Sequence, residues 1–240
     1  MSHPSPPVEL AELTVVRHGQ STANAAFALA EAVGSVESGV TGRDADIALS
    51  PLGQAQAVAL GHRFGAVAAD RRPQVVLCSP YRRACLTWQL ATDAARAGGG
   101  PELPAARTDD RLRDRVMGDL ELLTSAAIAA RFPAEAARRA ASDGFHYRPP
   151  GGESLLDVAA RLGSLLDDVR RQHAGLRVLL VAHDSVVLML RHLVEGLSLA
   201  ELETVVRVGM VANASVTRWT AETGRLMLAE YNSVMHLPGE

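Results

Sequence analysis

Arg17, His18 and Gly19 stand together directly after the apolar run Leu13 to Val16. A guanidinium matches phosphoryl oxygens with a fork of donors, and an imidazole with a free lone pair is a nucleophile toward phosphorus. Glycine beside them allows close backbone approach. The same kind of equipment recurs twice more. Arg82 and Arg83 follow Cys78-Ser79-Pro80-Tyr81, and His183 follows Arg177 to Ala182. Cations at a helix amino terminus oppose its dipole, so an anion nearby would account for the arginine pair.

These residues need a scaffold that brings distant stretches together. Leu13 to Val16, Val75 to Leu77 and Arg177 to Ala182 are short, β-branched or leucine-rich and free of Gly and Pro, which suits strands buried on both faces. If the three run parallel, their carboxyl ends share the sheet edge where α/β folds bind ligands. Helical patterns alternate with them. Ala25 to Val33 is Ala-rich, Gly34 to Asp46 reads as a loop over the site, and Ser50-Pro51 opens a helix to about Ala68. A further helix runs to about Ala97 and ends at Gly98-Gly99-Gly100-Pro101. Asp109 to Glu121 is charged and aperiodic, hence a loop with chemistry. Leu123 to Ala141 reads as two helices broken near Pro133, and Arg148 to Gly152 as a turn. Glu153 and Ser154 are expected to begin a helix underway by Leu155 and ending at Gly175, with Ser154 as an N-cap the alternative; a helix follows His183 to about Gly196, and Asn213 to Trp219 and Arg225 to Tyr231 close the chain as strands. The fold class expected is α/β, a mostly parallel central sheet with helices on both faces.

Composition narrows the function classes. The 240 residues suit one domain, with 1–10 as a floppy Pro-rich lead and 11–240 as the folded unit. A formal charge of -3 offers no field for nucleic acid or anionic membrane, and no apolar run reaches membrane-spanning length. Cys78 and Cys85 are the only cysteines and lie in no metal-binding spacing, so a reduced, cytoplasmic chain is expected. Eight histidines include no His-Glu-x-x-His, and no metal is expected. The oligomeric state stays open, a homodimer included.

The chain resembles the histidine phosphatase superfamily, which includes the cofactor-dependent phosphoglycerate mutases. The resemblance rests on Arg17-His18-Gly19 with Ser21 and Asn24, on Thr41-Gly42-Arg43, and on Leu49-Ser50 with Gly53. It continues through Ser79-Pro80 with Arg83-Ala84, Leu112-Arg113-Asp114 with Gly118 and Glu121, Gly151-Gly152-Glu153-Ser154, and His183. It implies a three-layer phosphoglycerate mutase-like architecture and phosphoryl transfer to a small phosphorylated substrate. His18 is then the nucleophile, and Arg17, Arg83 and His183 hold the phosphoryl oxygens. Gly19, Asn24, Thr41, Gly42 and Asp184 are the substrate-side candidates, and Asp114 is the proton donor with Glu121 as runner-up. Positive neighbours should keep His18 neutral, whereas Asp114 should be held protonated.

Four departures from the family pattern shape the expectation. Gln20 replaces a usual Glu, and Asp114 a usual Glu one methylene longer. Asp184 replaces a frequent Gly, where an N-cap role would turn it away from the phosphate. Finally, AAFALAEAVGSVESGVTGR and VMGDLELL lack the Trp and Lys with which a mutase retains a phosphorylated acid. Hydrolysis of a phosphomonoester is therefore expected first, without cofactor. A bisphosphoglycerate-primed mutase is the alternative, with 2,3-bisphosphoglycerate as its primer, and a non-catalytic phosphate-binding or scaffolding protein comes third.

Overall fold

The computed structural model describes residues 9–238. Its elements run β1 (Glu12–Arg17), α1 (Thr22–Ala32), α2 (Pro51–Gly65), β2 (Val75–Cys78), α3 (Arg82–Ala97), β3 (Ala106–Thr108), α4 (Ser125–Arg131) and α5 (Pro133–Ala141). They continue with α6 (Leu155–His173), β4 (Arg177–Ala182), α7 (Asp184–Glu195), α8 (Leu199–Val208), β5 (Val216–Glu222) and β6 (Arg225–Ser233). One six-stranded sheet has the order β3-β2-β4-β1-β5-β6. The first four strands of that order are parallel; β5 runs antiparallel to β1, and β6, antiparallel to β5, runs with the first four. This is the α/β class expected, a mostly parallel sheet with helices on both faces.

Strand periodicity divides the core. Leu13, Val15, Val178 and Leu180 point to one face, where α6 and α7 cover them with Leu162, Leu166, Val187 and Leu190. Val16, Val76, Leu179 and Val181 point to the other, under Leu60 and Phe64 of α2 and Trp88 and Ala91 of α3. Successive side chains alternate, so continuous apolar runs are needed wherever both faces are covered. A smaller cluster around Leu120, Ile128 and Tyr147 supports α4, α5 and the loop before them.

Register places the chemistry. Arg17 pairs with Ala182 across β1 and β4, and Cys78 pairs with Val181 across β2 and β4. His18, Ser79 and His183 therefore leave the sheet side by side at its carboxyl edge.

Several element boundaries differ from expectation. Helix α1 starts at Thr22 because Ser21 and Asn24 form a capping box, and Ser154 is a true N-cap paired with Asp157. β3 and α8 have no counterpart in the sequence reading. Of the segment 1–10, residues 1–8 lie outside the described residues, while Glu9 bonds Arg170 and Leu10 is fully buried. No described helix is long and apolar enough to cross a membrane.

Candidate active site

The imidazoles of His18 and His183 lie 5.1 Å apart, edge toward face, and both are buried, at 2% and 0% exposure. His18 is held from three sides. Its backbone N–H donates to Ala182 O at 2.9 Å, and its carbonyl accepts from Ala214 N at 3.0 Å and Asn213 Nδ2 at 3.2 Å. Its Nδ1 lies 2.7 Å from Gly19 O, a contact that requires the proton on Nδ1 and leaves the lone pair on Nε2. That lone pair accepts from Arg83 Nε at 3.2 Å. Burial above all, with His183, Arg83 and Arg17 adding repulsion, holds His18 well below the usual imidazole range. The ring is thus neutral at physiological pH, as the sequence implied, with desolvation as the larger cause.

The glycine beside it has a different use from the one expected. A Cβ on Gly19 would meet Gly53 O at 2.5 Å, so Gly19 admits the first turn of α2, packed through Gly53. Gln20 is engaged there as well: its Oε1 accepts from Ser50 Oγ at 2.8 Å. Asn24 closes the α1 capping box and accepts from Asn213 at 3.3 Å, which ties α1 to the His18 backbone. Thr41 and Gly42 are exposed, and neither lines the cavity at the site.

Arg83 carries the densest set of contacts. Its Nη1 and Nη2 reach Asp44 Oδ1 and Oδ2 at 2.9 and 3.1 Å, and Nη2 also reaches Asp114 Oδ2 at 2.9 Å. Two carboxylates thus occupy the guanidinium fork that a phosphoryl group would use. They also supply the anions that Arg83, at the start of α3, called for, whereas among the described residues Arg82 reaches only the carbonyl of Asp46, at 3.5 Å. Arg17 donates to Val211 O and lies 3.6 Å from Asp184 Oδ2. His183 Nε2 is 2.8 Å from Ser79 Oγ. Its Nδ1 is 3.2 Å from Asp114 Oδ2 without hydrogen-bond alignment, and it and Arg17 Nε are buried without a partner among the described residues. Unpaired buried donors of this kind are costly and suit an incoming anion.

Asp114 is inside the site and Glu121 is at its rim. Asp114 Oδ1 accepts from Ser185 Oγ and Arg115 N, each at 2.8 Å, whereas Glu121 is exposed and accepts from Asp44 N at 2.7 Å. The loop carrying Asp114 is clamped from behind. Glu153 bonds Arg113 at 2.8 Å and Arg161 at 2.9 Å, and Gly118, at φ +55°, packs so closely on Pro150 O that a Cβ would lie 2.0 Å away. One expectation is reversed here. Burial pushes the Asp114 carboxyl up, but His183 and Arg83 more than offset it and hold it well below the usual range, so without substrate it is ionised.

Asp184 also departs from expectation. His183 is the N-cap of α7 and Asp184 its first residue, so the carboxylate turns inward, toward Arg17 and the cavity. Asp44, Tyr81, Ser185 and Asn213 join the site without any expectation from the sequence, and Ser79, part of the family resemblance, gains a role there as the partner of His183. Asp44 opens a single 3-10 turn (Asp44–Asp46) in a stretch whose sequence has no repeating pattern, whereas Ser185, two residues beyond His183, is legible from its place in the first turn of α7.

Among the described residues His18, Asp114 and His183 also bring one potential metal ligand each within 4.8 Å of one another. Arg83 donates to two of the three. A guanidinium among the ligands opposes a dication and favours an anion.

Because Asp44 competes for the Arg83 fork, Asp44→Asn is expected to tighten inhibition by inorganic phosphate by about tenfold, the value of one charge-assisted contact. The inhibition constant measures this. Weaker inhibition would mean that Asp44 positions Arg83 instead of competing with phosphate.

The chain is similar to known proteins over most of its length. The family model for the histidine phosphatase superfamily (branch 1) matches residues 13–234. The chain is 33% identical over 220 residues to glucosyl-3-phosphoglycerate phosphatase of Mycobacterium tuberculosis, covering 88% of this chain and 85% of that one. It is 32% identical over 200 residues to 2,3-bisphosphoglycerate-dependent phosphoglycerate mutase 2 of Gloeobacter violaceus, covering 82% and 81%. The solved structure of the mycobacterial glucosyl-3-phosphoglycerate phosphatase with VO3 superposes with a TM-score of 0.69 at 30% identity, covering 93% and 99%.

Proposed function

The chain belongs to the histidine phosphatase superfamily, branch 1, a family of phosphoryl-transfer enzymes, and from that premise we propose that it is a cytoplasmic, metal-independent phosphomonoester hydrolase acting through a phosphohistidine on small phosphorylated metabolites. The observation that carries the reading is the neutral Nε2 of His18, its lone pair aimed at Arg83 and its ring beside His183.

In the first step the Nε2 lone pair attacks phosphorus while the ester P–O bond breaks. The departing alkoxide takes a proton from Asp114. Water then attacks the phosphohistidine, Asp114 takes a proton from that water, and the N–P electron pair returns to Nε2 as phosphate leaves. Phosphoryl transfer asks the protein mainly for position and charge: Arg17 and Arg83 supply the charge, and Nδ1 of His183, buried without an aligned partner, is placed to donate. Asp114 is ionised in the free site because His183 and Arg83 hold it so. An arriving phosphate dianion engages those same groups and adds negative charge, both of which raise the carboxyl toward a protonated state.

The pH dependence follows from both groups. His18, with its pKa lowered, keeps its lone pair as pH falls through the normal imidazole range. Asp114, lowered in the free site, gains its proton only toward acid. For an alkyl phosphate, kcat/KM is therefore expected to rise from pH 8 to pH 5, by up to about tenfold per unit where one proton controls the rate. A profile that collapses below about pH 6.5, the ordinary imidazole value, would contradict the neutral His18 on which the reading depends.

The deciding experiment is a panel of phosphorylated metabolites assayed for released phosphate with and without 2,3-bisphosphoglycerate. Release without primer supports hydrolysis. Isomerisation of phosphoglycerate that requires primer would replace this reading with the mutase, and no turnover on any member would leave a phosphate-binding protein.

A further inference from the structure

Beside the phosphoryl site lies a cavity of about 430 Å³. It begins at Asp114, Tyr81 and Ser185 and is therefore continuous with the place where a leaving group would emerge. Its walls are apolar: Phe27, Val116, Met117, Leu188, Met210 and Tyr231 line it. Met210 is 74% exposed, so that wall is free to adjust around a ligand.

Carboxylates dominate its charges. Asp44, Asp114, Glu121 and Asp184 stand on the lining. Arg115 is the one cation among the described lining residues, and its guanidinium is spent on backbone carbonyls, Glu153 O at 2.7 Å and Tyr147 O at 2.6 Å. Arg17 and Arg83 face the phosphoryl group. Among the described lining residues no guanidinium is left unbonded for a carboxylate on the leaving group, which would instead meet the carboxylates of Glu121 and Asp184.

We propose that this cavity selects phosphomonoesters whose leaving alcohol is uncharged and largely apolar, an aryl or medium-chain alkyl alcohol, over esters that carry a carboxylate. The proposal rests on the phosphatase reading for its biological use, but its test does not need turnover.

The probes are non-hydrolysable alkylphosphonates titrated into the intact protein by calorimetry. Burying methylenes against these walls should tighten binding by roughly threefold per CH2 from ethyl- to hexylphosphonate. It should also give an increasingly negative heat-capacity change along the series. A phosphonate of equal length ending in a carboxylate should bind at least about tenfold more weakly than its methyl-ended counterpart. Phenyl- and naphthylphosphonate separate an aryl from an alkyl preference within the same class. Met210→Asp, at an exposed position that leaves folding intact, should flatten the series.

A flat series, or equal binding of the carboxylated probe, overturns the proposal even if the protein hydrolyses aryl phosphates. A rising series in a protein that hydrolyses no monoester supports the cavity's selectivity and overturns the catalytic reading beneath it.

Discussion

His18→Ala is expected to lower kcat for an aryl phosphate by roughly ten-thousandfold or more, the scale on which removal of a catalytic nucleophile is felt. No other neutral nitrogen base occupies that position: His183 Nε2 is engaged with Ser79, and its Nδ1 faces Asp114. The loss should be confined to chemistry. The contacts that hold residue 18 run through its backbone, to Ala182, Ala214 and Asn213, and survive the substitution. Arg17, Arg83 and His183 also remain, so inorganic phosphate should still bind. Intact-mass measurement of the wild type during turnover should show a phosphoryl adduct that the variant lacks. Retention of most activity in His18→Ala would remove the phosphohistidine and, with it, the mechanism proposed here.

The parts of this site that could be read from the chain are those governed by periodicity and strand ends. Three apolar runs with cations just beyond them located His18, Arg83 and His183, because parallel strands leave no freedom about which edge those residues share. Residues placed by loops were harder to read. Asp44 reaches Arg83 from a stretch with no repeating pattern, and Thr41 and Gly42 of the same stretch, which the family resemblance implies for the site, are exposed instead. Asp184 was misplaced by one residue of helix register, since His183 took the N-cap and turned the carboxylate inward. Some misses had usable signals. Ser198 and Glu201 form the capping box that opens α8, and that spacing is visible in the sequence. β3 offered none, being three residues at a sheet edge with two of them exposed. The ionisation of Asp114 was beyond sequence reasoning altogether, because it depends on distances to His183 and Arg83.

Asp114→Asn is expected to slow alkyl phosphates by about a hundred- to ten-thousandfold and aryl phosphates far less. The difference arises at the leaving oxygen: an alkoxide needs a proton as it departs, whereas a phenolate with pKa near 10 leaves largely without one. Asparagine keeps an acceptor for Ser185 Oγ and Arg115 N, so the loop clamped by Glu153 and Arg161 should hold its course. It cannot keep the ion pair to Arg83 or the negative charge beside His183. The variant should therefore bind inorganic phosphate more tightly while turning over alkyl esters more slowly, and a general failure to fold would produce neither the opposed signs nor the aryl-to-alkyl contrast. Glu121→Gln provides the counterpart. Glu121 is exposed and bonded to Asp44 N, so its loss should leave the aryl-to-alkyl ratio unchanged. If Asp114→Asn slowed both ester classes equally while Glu121→Gln shifted their ratio, the acid would be Glu121, brought inward by a closing movement of the loop, and Asp114 would be left with the positioning of Arg83.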